Sequence, residues 1–287
     1  MVKKTIIILI FAPLLICCEA RESTDDNPAN AADSYGYAVP PGISHRPLAL
    51  VNKNHAFDPG INESSLIPLT SSANYQRRDN LQKLMPEAKN ALDAMMEEFV
   101  HVMGRKAAEA IVSATHRTAA YQQGLVDAKP GLLGAYLAQP GHSEHHTGYA
   151  VDMHVYRNGL TYEMIDFPAT FDWLYENMHK YGYIVRYTEE KKHITGLSAE
   201  PWHFRYVGIP HAAYIKENNL ALEEYIDLIR ARTPSNPLVI IGAPAFYIYF
   251  VPADSPQIPY YSGHDYEISG NNVDGYIVTN FKSDYTQ

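Results

Sequence analysis

Cysteine is nearly absent from this 287-residue chain: Cys17 and Cys18 are its two, both close to the first residue. With that segment set aside, no disulfide can staple the fold and no thiolate is left for a metal. A metal site would have to be built from His, Asp or Glu. Long hydrophobic runs are missing too. The apolar stretch Ile6 to Ile16 holds eleven residues, too few to span a bilayer. Basic charge is scarce, with 23 Lys and Arg against 32 Asp and Glu, a net of −9 and no basic run. That balance argues against a nucleic-acid partner. Activated-serine signatures are also lacking. No serine has lysine three residues later, and neither G-x-S-x-G nor K-T-G occurs. The zinc signatures H-E-x-x-H and H-x-x-E-H are absent as well.

What is present begins with "MVKKTIIILIFAPLLICC", a basic start and a short apolar run that fit a secretory leader over residues 1–17. Its end, "LLICC", resembles a bacterial lipoprotein cleavage box with Cys18 as the lipidated residue. Cys17 stands where a small residue usually precedes that cysteine, so plain secretion after cleavage is the alternative. Either outcome places the protein outside the cytoplasm, with membrane contact only through a lipid on Cys18. Without Lys3 and Lys4 the net charge becomes −11. Residues 18–45 are polar, rich in Pro, Ala and Asp and without apolar periodicity, which reads as a tether.

From Pro86 to Met103 apolar residues recur at helical spacing, with Pro86 suited to the first turn and Gly104 to the stop. "AIVSA" (110–114) reads as a strand leading into a helix over "THRTAAYQQGLVDAK". "GYAVDMHVY" is β-prone, "PATFDWLYENMHKYG" reads as a helix closed by Gly182, and "YIVRY" and "HFRYVG" read as strands. Residues 210–231 read as one amphipathic helix. Helices mixed with short strands, without a βαβ rhythm, predict an α+β domain over 46–232. Beyond "TPSNP", the stretches "LVIIG", "AFYIYFVP" and "GYIVTNF" predict a small β appendage over 233–287 that packs against or caps the main domain.

The chemistry concentrates in "PGHSEHHTGYAVDM" (140–153) and "EPWHFRYVG" (200–208). A catalytic zinc needs three protein ligands, an open position for water and a base to take the water's proton. His145, Asp152 and His203 can supply the ligands and Glu200 the base. Gly148 permits a sharp bend between the first two, and Pro201 biases Glu200 toward extended backbone. Adjacent side chains in extended backbone point apart, so His142 and His146 are read as loop-facing rather than as ligands. His154 would share a strand face with Asp152 and is the stronger of the remaining alternatives. His116 and His193 are read as surface or substrate-side, Trp202 as a core or pocket wall, and Arg186 as a solvated strand charge or a substrate contact.

These stretches, with "YGYIVRY", "ITGLSAEPWHFRYVG", "LALVNKNHAFDP" and "HRTAAYQ", resemble the VanY-type D-alanyl-D-alanine carboxypeptidases. Wider relatives of that family include L,D-carboxypeptidases and VanX-type dipeptidases. The resemblance runs from about Leu48 to Ile229 and centres on S-x-H-x-x-G-x-A-x-D and E-x-W-H. It implies a small, mostly antiparallel sheet with helices packed around a zinc site, the hedgehog/D,D-peptidase-like fold. It also implies one Zn2+ per chain on His145, Asp152 and His203, with Glu200 as catalytic base. Arg117 and Gln122 match the family's R-x-x-x-x-Q element, in which the arginine faces substrate, and Ser143 matches the serine lining the same pocket. Two departures stand out. His116-Arg117-Thr118 replaces the common Tyr-Arg-Ser, and His146 replaces the glutamine common after the first zinc histidine; both can shift substrate preference.

The implied activity is removal of the C-terminal D-alanine from peptidoglycan stem peptides by metal-activated water. Arg117, with its forked donors, suits the terminal carboxylate or the developing oxyanion. The alternatives are an L,D-carboxypeptidase acting on tetrapeptide stems and a non-catalytic wall-binding lipoprotein. An intact Glu200 argues against the last, since a pure binder needs no base.

Overall fold

The computed structural model describes residues 35–42, 46–57, 63–70 and 72–282. The leader, Cys18 and most of the expected tether lie outside them. In chain order the elements begin with β1 (Tyr35–Ala38), β2 (Ile67–Pro68), β3 (Gln76–Arg77), β4 (Lys83–Leu84), α1 (Pro86–Met103), β5 (Ala110–Ala114) and α2 (Ala119–Ala128). The middle of the chain forms β6 (Ala150–Arg157), β7 (Leu160–Tyr162), α3 (Pro168–Asn177), β8 (Tyr183–Tyr187), α4 (Lys192–Thr195) and β9 (Glu200–Tyr206). Then follow α5 (His211–Glu217), α6 (Leu222–Arg230), β10 (Leu238–Ile240), β11 (Phe246–Pro252), β12 (Ile258–Tyr261), β13 (Asp265–Gly270) and β14 (Gly275–Phe281).

The main sheet runs β3-β5-β6-β9-β8, with β7 beside β6. Its pairs are antiparallel except β3 with β5, so the molecule is α+β as expected. Val151, Met153 and Val155 of β6 and Phe204 of β9 turn one face of this sheet toward α1 and α3. There α1 contributes Ala88, Leu92, Met95, Met96 and Phe99, spaced for one face of a 3.6-residue helix. Phe99 meets the rings of Phe171 and Trp173 at 5.5 and 5.6 Å. Each such buried large side chain stabilises the fold by about 1.5–3 kcal/mol relative to exposure. Since side chains alternate along a strand, Asp152 and His154 face the other way.

Two sequence expectations need correction. The stretch 210–231 is not one helix. It breaks after α5 at Asn218, Asn219 takes a left-handed conformation (φ 48°), and Glu224 caps the restart by accepting a hydrogen bond from the Ala221 N–H at 2.7 Å. The apolar period continues across the break, which is why the pattern reads as continuous. The expected tether is also not wholly irregular. Tyr35–Ala38 is β1, paired antiparallel with β12, and Tyr35 lies against the Tyr261 ring at 5.8 Å.

The C-terminal segment forms a second sheet, β10-β11-β14-β13. It shares a core with the rest of the chain: Ile240, Ile248 and Ile277 pack with Leu48, Ile184, Val207, Leu222 and Ile226. Among the described residues, no helix is long and apolar enough to cross a membrane.

Candidate metal centre

Register brings the site together. Asp152 on β6 stands directly opposite His203 on β9, so two residues fifty-one positions apart share one face of the sheet. His145 arrives from a single 3-10 turn, Glu144–Thr147, that ends on Gly148. Gly148 is left-handed (φ 73°), and a Cβ there would lie 2.5 Å from Leu66 Cδ2 and 3.1 Å from Met85 Cγ. Only glycine satisfies both the backbone and the space. Glu200 opens β9 opposite Tyr187, beyond a register shift between Val185 and Tyr187. Strict alternation would send residues 200 and 203 to opposite faces; the irregularity re-aims the glutamate to within 3.9 Å of His203 Nδ1.

His145 Nδ1 lies 2.6 Å from the Thr115 carbonyl, to which it donates, so the lone pair of Nε2 is left facing Asp152 Oδ1 at 3.3 Å. His203 uses the opposite nitrogen. Its Nδ1 is 2.9 Å from Asp152 Oδ1, while Nε2 lies 3.3 Å from Glu144 Oε2. The second Asp152 oxygen accepts from Arg117 at 2.8 Å. Donor atoms of His145, Asp152 and His203 all fall within 4.8 Å of one another, and all three residues are buried. Zinc bond lengths place neighbouring tetrahedral ligand atoms about 3.3 Å apart, so the spacings observed need little adjustment. Two imidazoles and one carboxylate are also a donor set that suits zinc better than calcium or magnesium. This cluster could hold a metal ion.

The electrostatics fit that reading. Burial alone would raise the Asp152 carboxyl, but the two histidines and Arg117 hold it well below the usual carboxylate range. Burial, reinforced by Arg117, pushes His145 down to about 4. Burial would also lower His203, yet hydrogen bonds to Asp152 and Glu144 take it up to about 9. The His203 proton therefore supplies positive charge where a cation would sit, and metal binding must displace it. Burial pushes Glu200 up to about 7, and its Oε1 is buried with no hydrogen-bond partner.

The remaining residues expected at the site line the same cavity, of about 150 Å³. Arg117 is braced between Asp152 and Gln122, whose Oε1 accepts from it at 3.3 Å. Gln122 is fully buried and donates to the Ala138 carbonyl at 2.8 Å, which makes it a support for Arg117. Ser143 is buried at the cavity edge and caps no helix. Trp202 forms a wall between Tyr136 and His154.

The histidines nearest the cluster in sequence, His142, His146 and His154, are engaged elsewhere. His142 bonds the Asn52 carbonyl and His154 bonds the Ser113 hydroxyl. His146 uses both nitrogens, toward the Arg117 carbonyl at 2.7 Å and the Gly141 N–H at 3.0 Å. The two departures from the family's usual wording thus touch each other: His146 is bonded to the backbone of the altered His116-Arg117-Thr118. His116 is half-buried and His193 exposed.

Arg186 needs correction, being neither solvated nor among the cavity residues. Its side chain is fully buried and pairs with Glu144 at 2.8 Å and Glu223 at 2.6 Å. Glu144 and Arg205 are the residues that sequence reasoning passed over. Glu144 meets Arg186, Arg205 and His203, and although burial opposes it, the arginines hold its carboxyl far below the usual range. Its place beside His145 was the one available signal.

An α+β sheet with a buried His–Asp–His cluster beside an unpartnered glutamate is the class these features define. Residues 82–209 match the family model described as VanY, D-alanyl-D-alanine carboxypeptidase. The chain is 40% identical over 151 residues to a D-alanyl-D-alanine carboxypeptidase of Enterococcus faecium, a match covering 52% of this chain and 48% of that one. It thus spans about half the length of that curated relative. The vancomycin-resistance D,D-dipeptidase VanXYg, solved with a D-Ala-D-Ala phosphinate analog, aligns with a TM-score of 0.72 at 30% identity. That alignment covers 84% of this chain and 95% of that one. A D,D-pentapeptidase VanY from a VanB-type resistance cassette, solved in complex with Zn(II), aligns with a TM-score of 0.50 at 29% identity, covering 63% and 98%. The chain belongs to the VanY-type D-alanyl-D-alanine carboxypeptidase family.

Proposed function

We propose that the protein is a zinc-dependent carboxypeptidase that removes the C-terminal D-alanine from peptidoglycan stem peptides outside the cytoplasm. The observation that carries this reading is the orphaned Oε1 of buried Glu200 beside the His145–Asp152–His203 cluster. His145 Nε2, Asp152 Oδ1 and His203 Nδ1 would hold one zinc. When bound, zinc polarises a scissile carbonyl and brings the pKa of a coordinated water to about 7.

Glu200 takes a proton at its free oxygen and returns it to the leaving amine. Arg117, oriented by Asp152 and Gln122, offers its guanidinium to the substrate's terminal carboxylate or to the developing oxyanion. Ser143 hydrogen-bonds substrate. Leu132, Tyr136, Leu137 and Trp202 give the cavity an apolar wall that limits water at the reacting end. The relatives named above support the D,D preference and the metal; the leader and its cysteine support export and a lipid on Cys18.

Incubating purified protein with pentapeptide and tetrapeptide muropeptides, and weighing the products, tests the reading. The pentapeptide is expected to lose one alanine, with the reaction stopped by a strong chelator, restored by zinc and indifferent to penicillin. Trimming of the tetrapeptide alone would replace this reading with the L,D one. Zinc-loaded protein that cuts neither would overturn hydrolysis altogether.

A further inference from the structure

His203 is gripped from both sides, and the side facing Glu144 is built from charges that the proposed reaction does not use. Glu144, Arg186 and Arg205 have fully buried side chains. Glu144 Oε1 lies 2.8 Å from both Arg186 Nε and Arg205 Nη1, leaving Oε2 for His203 Nε2 at 3.3 Å. Arg205 is tied by two 2.8 Å bonds to the Pro47 and Ala49 carbonyls, and Arg186 passes the chain of charges to Glu223 on α6. Stability does not require such an assembly, because apolar residues of similar volume generally serve as well as buried ion pairs. The assembly is also incompletely satisfied, with Arg186 Nη1 and Glu223 Oε2 lacking partners.

We infer that Glu144 is a positioning residue for the metal: its carboxylate selects the His203 tautomer and fixes the ring so that Nδ1 presents a lone pair to the cluster. The inference rests on reading His203 as a ligand. An imidazole carries one proton between two nitrogens, and a carboxylate locked by two arginines can only accept. With a metal in place of the proton that Asp152 accepts from Nδ1, the remaining proton is held at Nε2 by Glu144, just as the Thr115 carbonyl holds the His145 proton at Nδ1. One ring then offers Nε2 and the other, once a metal replaces the proton Nδ1 shares with Asp152, offers Nδ1; the two atoms lie 3.3 and 2.9 Å from Asp152 Oδ1. Chain geometry makes the device economical, since the turn that delivers His145 delivers its neighbour Glu144 as well.

Zinc affinity, measured by competition with a chromophoric chelator, and the melting temperature of the metal-free protein test the inference together. Glu144→Gln is expected to weaken zinc about 10- to 100-fold, the usual cost of losing a carboxylate behind a ligating histidine. Glu223→Gln removes a carboxylate from the same network without touching His203 and is expected to keep wild-type affinity. If Glu144→Gln does not fold, Glu144→Gln with Arg205→Met removes one charge of each sign; melting is expected to recover toward wild type while zinc affinity stays low. Wild-type affinity in a folded Glu144 variant, or an equal loss in Glu223→Gln, would overturn the positioning role. Wild-type protein that takes up no zinc would overturn the ligand assignment, and this inference with it.

Discussion

The main sheet and the C-terminal sheet bury their central strands equally deeply but bury different chemistry. At the centre of the first, β6 and β9 place Asp152, His203 and Arg205 at 7, 2 and 0% exposure. At the centre of the second, β11 and β14 bury Ile248, Tyr249, Ile277 and Val278, and the polar side chains among them, Thr279 and Asn280, are neutral. Burying a charge is costly unless it is paired, whereas burying a methylene is favourable at once. A sheet that buries Asp152, Arg186, His203 and Arg205, each paired, beside one cavity is therefore organised for something besides stability, whereas the buried strands of the other sheet carry no charge that would need such pairing. The contrast predicts that substitutions in the first sheet lower turnover more than stability, and that the second behaves in reverse.

The largest effect should come from the ligand set. His145→Ala, Asp152→Ala and His203→Ala each leave two protein donors, and metal analysis should show the proposed zinc lost with turnover at background. His142→Ala and His146→Ala should retain it, because their nitrogens serve backbone groups. Zinc retained by all three ligand variants would erase the contrast between the sheets.

Glu200→Gln comes next. The amide matches the carboxylate in size but cannot accept a proton, so zinc should remain while kcat falls by roughly 100-fold or more. Normal turnover by the zinc-loaded variant would remove Glu200 from the mechanism. Its melting temperature should hold or rise, since the group is buried with one oxygen unpaired.

Much of the first sheet was legible from sequence, and the illegible part has a physical pattern. The helix α1 and the strands β5, β6 and β8 declare themselves by period and by Pro86, Gly104 and Gly182, all local signals. Joining His145 and Asp152 to His203 needed the family's wording, because the register of β6 on β9 is a long-range fact. The Glu144 network depends on strands and a helix far apart in the chain, so Arg186 in "YIVRY" reads as a strand charge bound for solvent. In the C-terminal segment, β12 and β13 were passed over, since Pro259 and the charged start of β13 mask their alternation. The partner of β12 is β1, from a segment whose overall composition reads as tether.

The smallest expected effect on turnover is the sharpest test of the contrast. Ile248 is fully buried on β11, opposite Leu238 on β10 and Thr279 on β14, in the core that the second sheet shares with α5 and α6. Ile248→Ala removes three carbons there and leaves a cavity, a change that typically costs about 2–5 kcal/mol. Denaturant unfolding should register that loss in full. None of the residues lining the metal cavity belongs to the second sheet, so at a temperature where the variant stays folded kcat and zinc affinity should match wild type. A route for coupling does exist on paper: Ile184 of β8 sits in the same core and lies two residues from Arg186. If Ile248→Ala weakened zinc while the protein was fully folded, strain would be passing along β8 into the charge network behind His203. The second sheet would then have to be counted as part of the active site's support.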